Sequence, residues 1–338
     1  FFFSGRYICN LVDYSINGKL LTAIKQNRSR CMNSHKILSF RKKPSSLANY
    51  ARIILTRRPG NPHESPLPRL LGRLENVTPD PNNLSRYREL CGLQNDGKIP
   101  VLYPHVLAAP VYMHLLSHKE FPIPLIGSLH LRNHIIRHRP IDDREPLTLE
   151  VMTGEKRIVR QGLEFDFRIL LTSGEEKLWE SITTWLKKGN YGTIHAHSPH
   201  ADIIKPINDG REHAESFIPE NIGKRFARIT GDYNPIHISK FAAPLFGLKR
   251  DVAHAMWVCA DTIRQLPRHE KGSPLRIDLA FKGPLFLGSR YLIKLKVKNE
   301  RLRFDTYCGD NPRPCIQGQI ENLAADKHLY RNTFFPES

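Results

Sequence analysis

The chain has 338 residues, 40% of them hydrophobic, with 51 Lys and Arg against 33 Asp and Glu and a formal net charge of +18. A disordered chain would be poorer in apolar residues, and no apolar run approaches the ~20 residues of a membrane-spanning helix, so both classes are excluded. The length leaves room for two domains, each with its own core.

The basic charge is unevenly spread. Residues 1–50 carry nine Lys and Arg against the single acid Asp13. Residues 1–45 read as a basic extension, either a transit-like peptide or translated sequence ahead of Met32, with the second preferred, and they are set aside from the fold. The remaining chain has no aromatic RNA-binding run and no zinc-finger spacing, so nucleic acid is not expected as a partner. Cys9, Cys31, Cys91, Cys259, Cys308 and Cys315 are scattered without a C-x-x-C pair, which predicts reduced thiols and a cytoplasmic protein.

Residues 61–70 are proline-rich and predict a loop. A short helix follows over 83–93 and a long, almost wholly apolar one over 102–118, with Pro110 inside it. Strands are predicted over 125–138, 146–154, 160–173 and 175–188, the last two joined by the Ser173–Gly174 turn. The polar stretch 191–216 reads as a linker. Its histidines, His195, His197 and His200, lack Cys or carboxylate partners and are read as solvated rather than metal-binding.

The order of elements then repeats. A short helix over 221–231 and an apolar helix over 252–266 precede strands over 274–286, 290–299, 302–309 and 313–324. The two halves, 46–190 and 217–332, thus share one plan, in which His105 corresponds to His254 and Gly92 to Gly231. Gly92 and His105 are 13 positions apart, whereas Gly231 and His254 are 23 apart. The second half spends the difference on DYNPIH.

Asp232, Asn234 and His237 crowd into that loop between apolar segments. Asp and Asn form turns readily, and one histidine is as easily a core residue. Three in register, with matching context on both sides, point to acid–base chemistry.

The run Phe226-Ala-Arg-Ile-Thr-Gly231-Asp232-Tyr-Asn234-Pro235-Ile-His237, closed by Ala243, resembles the signature of the (R)-specific enoyl-CoA hydratases and MaoC-like dehydratases. Val252-Ala-His-Ala-Met-Trp257 resembles the family's second motif, A-H-G-M. The first half is similar to the non-catalytic half of bacterial double-hotdog acyl dehydratases. The resemblance covers about residues 60–330 and implies an α+β double hotdog, two antiparallel sheets each wrapping a long central helix. It implies reversible hydration of a trans-2-enoyl thioester to an (R)-3-hydroxyacyl thioester, with no metal and no cofactor beyond the coenzyme A or acyl-carrier phosphopantetheine of the substrate. Asp232 and His237 would activate one water, and Gly231, Asn234 and Pro235 would shape their loop. The oxyanion donor would be the backbone N–H of Ala255, where the family has glycine. An alanine serves there if its φ is negative. His254 is read as a supporting residue, and Met256, Trp257 and Cys259 as core. The partners expected are acyl-CoA or an acyl-carrier protein, with the chain acting as a monomeric pseudo-dimer or as a homodimer. The alternative is a catalytically inactive acyl-thioester-binding or scaffold subunit with the same double-hotdog fold.

Overall fold

The computed structural model describes residues 35–55, 62–194, 207, 209–267, 274–298 and 301–323. The first half runs β1 (Lys36–Phe40), α1 (Ser46–Leu55), β2 (Leu70–Val77), α2 (Pro81–Leu90), α3 (Tyr103–Leu116), β3 (Ser128–Arg137), β4 (Leu147–Val159), β5 (Gly162–Ser173) and β6 (Glu176–Lys188). The second runs β7 (Arg211–Phe217), α4 (Ile222–Thr230), α5 (Pro235–Ile238), a 3-10 turn (Ala243–Phe246), α6 (Ala255–Gln265), β8 (Leu275–Phe281), β9 (Arg290–Lys298), β10 (Arg301–Cys308) and β11 (Ile316–Asn322).

The strands form one sheet in the order β1-β2-β4-β5-β6-β3-β8-β11-β10-β9-β7. Without β1, the left half mirrors the right, as a duplicated unit meeting at a two-fold seam requires. That seam is the antiparallel pair β3–β8, from Arg132 opposite Ala280 to Arg137 opposite Leu275. It joins the two expected half-sheets edge to edge. Within it the buried His134 and Asp278 face each other, Nδ1 to Oδ1 at 2.8 Å.

Each half wraps its own apolar helix. Helix α3 is buried on almost every face, including Leu107, Val111, Leu115 and Leu116. Each such side chain withdrawn from water contributes about 1.5–3 kcal/mol. Helix α6 buries Met256, Trp257, Val258 and Cys259 in the same continuous core. Trp257 Nε1–H donates to the Leu90 carbonyl across the halves at 2.9 Å. Gly92 (φ 64°) and Gly231 (φ 74°) both turn the chain in the left-handed region after their short helices. Cys91, Cys259, Cys308 and Cys315 are buried free thiols.

Two expected boundaries move. The extension set aside as 1–45 includes β1, which pairs in parallel with β2 from Lys36 opposite Leu70 to Phe40 opposite Leu74. The linker 191–216 includes most of β7, which pairs with β9, so the second half starts at Arg211. Both are edge strands with one neighbour and a largely exposed face, and they lack the apolar alternation that marks a strand. His195, His197 and His200 lie outside the described residues.

Candidate active site

The loop after α4 is held from several sides. Gly231 ends the helix with its N–H on the Ala227 carbonyl at 2.7 Å. A Cβ there would also run into Ser46 Oγ. The next residue, Asp232, donates its N–H to Thr230 Oγ1 at 3.1 Å. Its carboxylate Oδ1 accepts the Asn234 N–H at 3.2 Å and the Tyr50 hydroxyl at 2.7 Å. Asn234 caps α5, its side chain accepting the Ile236 N–H, and Pro235 takes the first helical position, where its missing N–H costs nothing.

This short helix presents His237. Its Nδ1 lies 2.8 Å from the Val252 carbonyl oxygen. A carbonyl can only accept, so Nδ1 carries the hydrogen and the neutral ring keeps its lone pair on Nε2. Val252 N–H returns a bond to the Ile236 carbonyl at 3.0 Å. The loop and the approach to α6 are thereby fastened together. His254, the last residue before α6, stacks on His237 with ring centroids 3.8 Å apart. Its Nε2–H donates to the Asp232 backbone carbonyl at 3.1 Å, and its Nε2 lies 3.7 Å from Asp232 Oδ2.

Burial alone would raise the Asp232 carboxyl. The imidazoles of His254 and His237, the Tyr50 hydroxyl and the Asn234 N–H more than offset it and hold the group below its ordinary value. Burial, reinforced by the adjacent His237, pushes His254 down to about 3. The site therefore pairs an ionised carboxylate with a neutral His254 imidazole near pH 7.

Both residues face a cavity of about 330 Å³ built from the two halves. The first half supplies His105, Tyr112, His130 and Trp185; the second adds Asn234, Ala255 and Met256 to the loop. His130 stacks on Trp185 with centroids 5.4 Å apart. Burial lowers His105 to about 4 and holds His130 well below its ordinary value, so these two imidazoles are uncharged near neutral pH. Ala255 is the first residue of α6 and has no positive φ. Its N–H has no carbonyl a turn earlier to bond and lies at the positive end of the helix dipole.

The structure thus brings together Asp232, His237, Asn234 and Ala255, with Gly231 and Pro235 shaping the turn. Sequence reasoning missed Tyr50, which lies 182 positions from its partner. It also missed Gly223, where a Cβ would collide with the His237 carbonyl oxygen. No local pattern marks either one.

Asp232, His237 and His254 each offer a ligand atom, all within 4.8 Å of one another, a set a divalent metal can use. The hydrogen bonds do not fit that use. His254 Nε2 carries a hydrogen given to the Asp232 carbonyl, which takes that atom out of the set.

Residues 205–316 match the family described as MaoC like domain. The chain is 29% identical over 244 residues to the 3-hydroxyacyl-thioester dehydratase X of Mycobacterium tuberculosis, covering 72% of this chain and 86% of that one. The crystal structure of HtdX from Mycobacterium tuberculosis superposes with a TM-score of 0.63 at 24% identity, covering 75% of this chain and 100% of that one. A MaoC-like dehydratase from Phytophthora capsici superposes with a TM-score of 0.62 at 15% identity, over 78% and 98% of the two chains. Among the described residues no helix is long and apolar enough to cross a membrane. The site loop lies inside the segment that matches the MaoC like domain, and the two halves of the chain share the fold of these dehydratases.

Proposed function

We propose that the protein is a hydro-lyase that adds water reversibly across trans-2-enoyl thioesters to give (R)-3-hydroxyacyl thioesters. One observation carries this reading. Asp232 and His237 offer two hydrogen-bond acceptors to one cavity, a carboxylate held ionised and an imidazole whose hydrogen is committed to Val252. A water there donates one O–H to each acceptor and turns its lone pairs toward the substrate.

In hydration the water oxygen bonds to the β-carbon while one of its protons passes to the acid–base pair. Electron density moves onto the thioester oxygen, where the Ala255 N–H stabilises the enolate. A proton from the pair then reaches the α-carbon, and the second O–H stays as the product hydroxyl. Dehydration is the reverse. Atoms balance without a metal or redox cofactor. The substrate is an acyl thioester of phosphopantetheine, as coenzyme A or on an acidic carrier protein, which suits the net charge of +18. The first half walls the acyl pocket. One chain holds both halves of the frame, so it can work as a monomeric pseudo-dimer. The rival reading, a thioester-binding or scaffold subunit without turnover, rests on Ala255 and on the first half's lack of the DYNPIH loop; the helical backbone at Ala255 keeps the N–H and weakens the first of these.

Loss of crotonyl-CoA absorbance should scale with protein concentration in buffer containing EDTA, and the 3-hydroxy product should be the (R) enantiomer. A rate indistinguishable from buffer across the accessible range, with enoyl thioesters of short and long chain, would sink the reading.

Gly223→Ala tests the packing behind His237. The added methyl must displace α5 from α4, an overpacking that costs about 1–3 kcal/mol. A shift of His237 by about 1 Å is expected to lower kcat by up to about 100-fold. Urea unfolding and steady-state kinetics on the same preparation measure both.

A further inference from the structure

We propose that Tyr50 is a positioning residue for Asp232, and that Lys36–Leu55 is a strap that holds one half of the molecule's acid–base pair from the other half. Its catalytic meaning rests on the hydratase reading above; the contact itself does not.

The two oxygens of the Asp232 carboxylate are not equivalent. Oδ1 accepts both Tyr50 Oη–H at 2.7 Å and the Asn234 N–H at 3.2 Å. Oδ2 is left to the cavity side, with His254 Nε2 at 3.7 Å, beyond hydrogen-bond reach. The carboxylate side chain is 28% exposed and lines the cavity, and of its two oxygens only Oδ1 is clamped by these bonds. Among the described residues Tyr50 is the one side chain that hydrogen-bonds this carboxylate. The other titratable groups that face it are His237 on α5, His254 before α6, His105 and Tyr112 on α3, and His130 on β3.

Tyr50 is held rigidly enough for the task. The neighbouring Asn49 is almost fully buried, and its Nδ2 donates to the Pro110 carbonyl at 2.9 Å. Arg52 reaches His114 Nδ1 at 3.0 Å and Ser117 Oγ at 3.3 Å. Three contacts thus tie α1 along α3. Ser46, at the start of α1, packs where a Cβ on Gly231 would stand, one residue before Asp232. At the far end β1 is zipped onto β2, and Phe40 meets His114 edge-on at 5.0 Å. The strap therefore bridges a first-half helix and a second-half loop. Burial, with the Asp232 charge beside it, drives the Tyr50 phenol well above its ordinary value, so it remains a donor. A donor to a carboxylate favours the ionised form.

The test compares wild type with Tyr50→Phe in the full chain. The ring packs against the core and is retained, so the thermal midpoint should move little. With aspartate labelled at the carboxyl carbon, and the Asp232 resonance identified by its loss in Asp232→Asn, the Asp232 titration should move up by about one pH unit. In kinetics kcat should fall about 5- to 50-fold with KM within about twofold, because a misaimed base affects the chemical step rather than binding. Asn49→Ala, which frees α1 without touching the phenol, should move the same titration the same way by less. An unchanged Asp232 titration in both variants overturns the contact. A shifted titration with unchanged kcat overturns the positioning role. A wild type that turns nothing over sinks the hydratase reading instead, and the titration still decides the contact.

Discussion

Asp232→Asn should lower kcat for enoyl-thioester hydration by about 100- to 10,000-fold while leaving the protein folded, the range that removal of one acid–base group usually costs. The fold should survive because asparagine keeps the contacts that shape the loop. Its amide oxygen can still accept from Tyr50 and from the Asn234 N–H. The amide nitrogen then stands where Oδ2 stood and offers a donor to the water where the reaction needs an acceptor. His237→Gln should be similarly costly. It removes the Nε2 lone pair and the bond from Nδ1 to the Val252 carbonyl. The pair holds one water between them, so the double variant should be little worse than the poorer single one. Single-turnover rates for all four proteins check this. Multiplying losses would mean that the two residues act on different steps, and an active Asp232→Asn would remove this loop from the chemistry.

The parts of the site visible in the sequence are those whose partners lie a few positions away. Asp232, Asn234, Pro235 and His237 form one turn and a four-residue helix, stabilised by hydrogen bonds that span two to four residues. Such spacing is local chemistry, and a linear reading recovers it. Tyr50 and Gly223 are different. The first matters because strand β1 and helix α1 deliver a hydroxyl across the molecule; the second matters because α5 backs onto α4. Neither arrangement exists until the chain has folded. The fold divides along a similar line. The long apolar helices and the inner strands were legible because burial on both faces leaves dense apolar runs. The strands that escaped, β1 and β7, are the two outermost in the sheet order and carry mostly exposed side chains. Strand β2, an inner strand, escaped as well, because Pro62, Pro66 and Pro68 just before it mark a turn and no strand was read over 70–77.

Ala255→Pro should reduce kcat by about 100- to 1,000-fold, the usual cost of one oxyanion donor, with the thermal midpoint held within a few degrees. This substitution removes a backbone N–H at a position where the helix makes no use of it. Ala255 is the first residue of α6, and proline is favoured there because its fixed φ matches the helix and its missing hydrogen had no intrahelical acceptor. Proline also restricts the residue before it to extended backbone, and His254 already sits at φ −64° and ψ 123°. The stack of His254 on His237 and its bond to the Asp232 carbonyl should therefore persist. What changes is one donor on the cavity wall, aligned with a helix dipole worth about half a charge. Ala255→Gly is the control: it keeps the N–H and should stay within a few-fold of the parent. If the proline variant retains its rate, the negative charge of the transition state is carried elsewhere, and the Met256 N–H, also in the first turn of α6, is the next donor to remove. If KM rises while kcat holds, the Ala255 N–H binds the ground-state carbonyl as tightly as the enolate, and the acceleration must come from Asp232 and His237 alone.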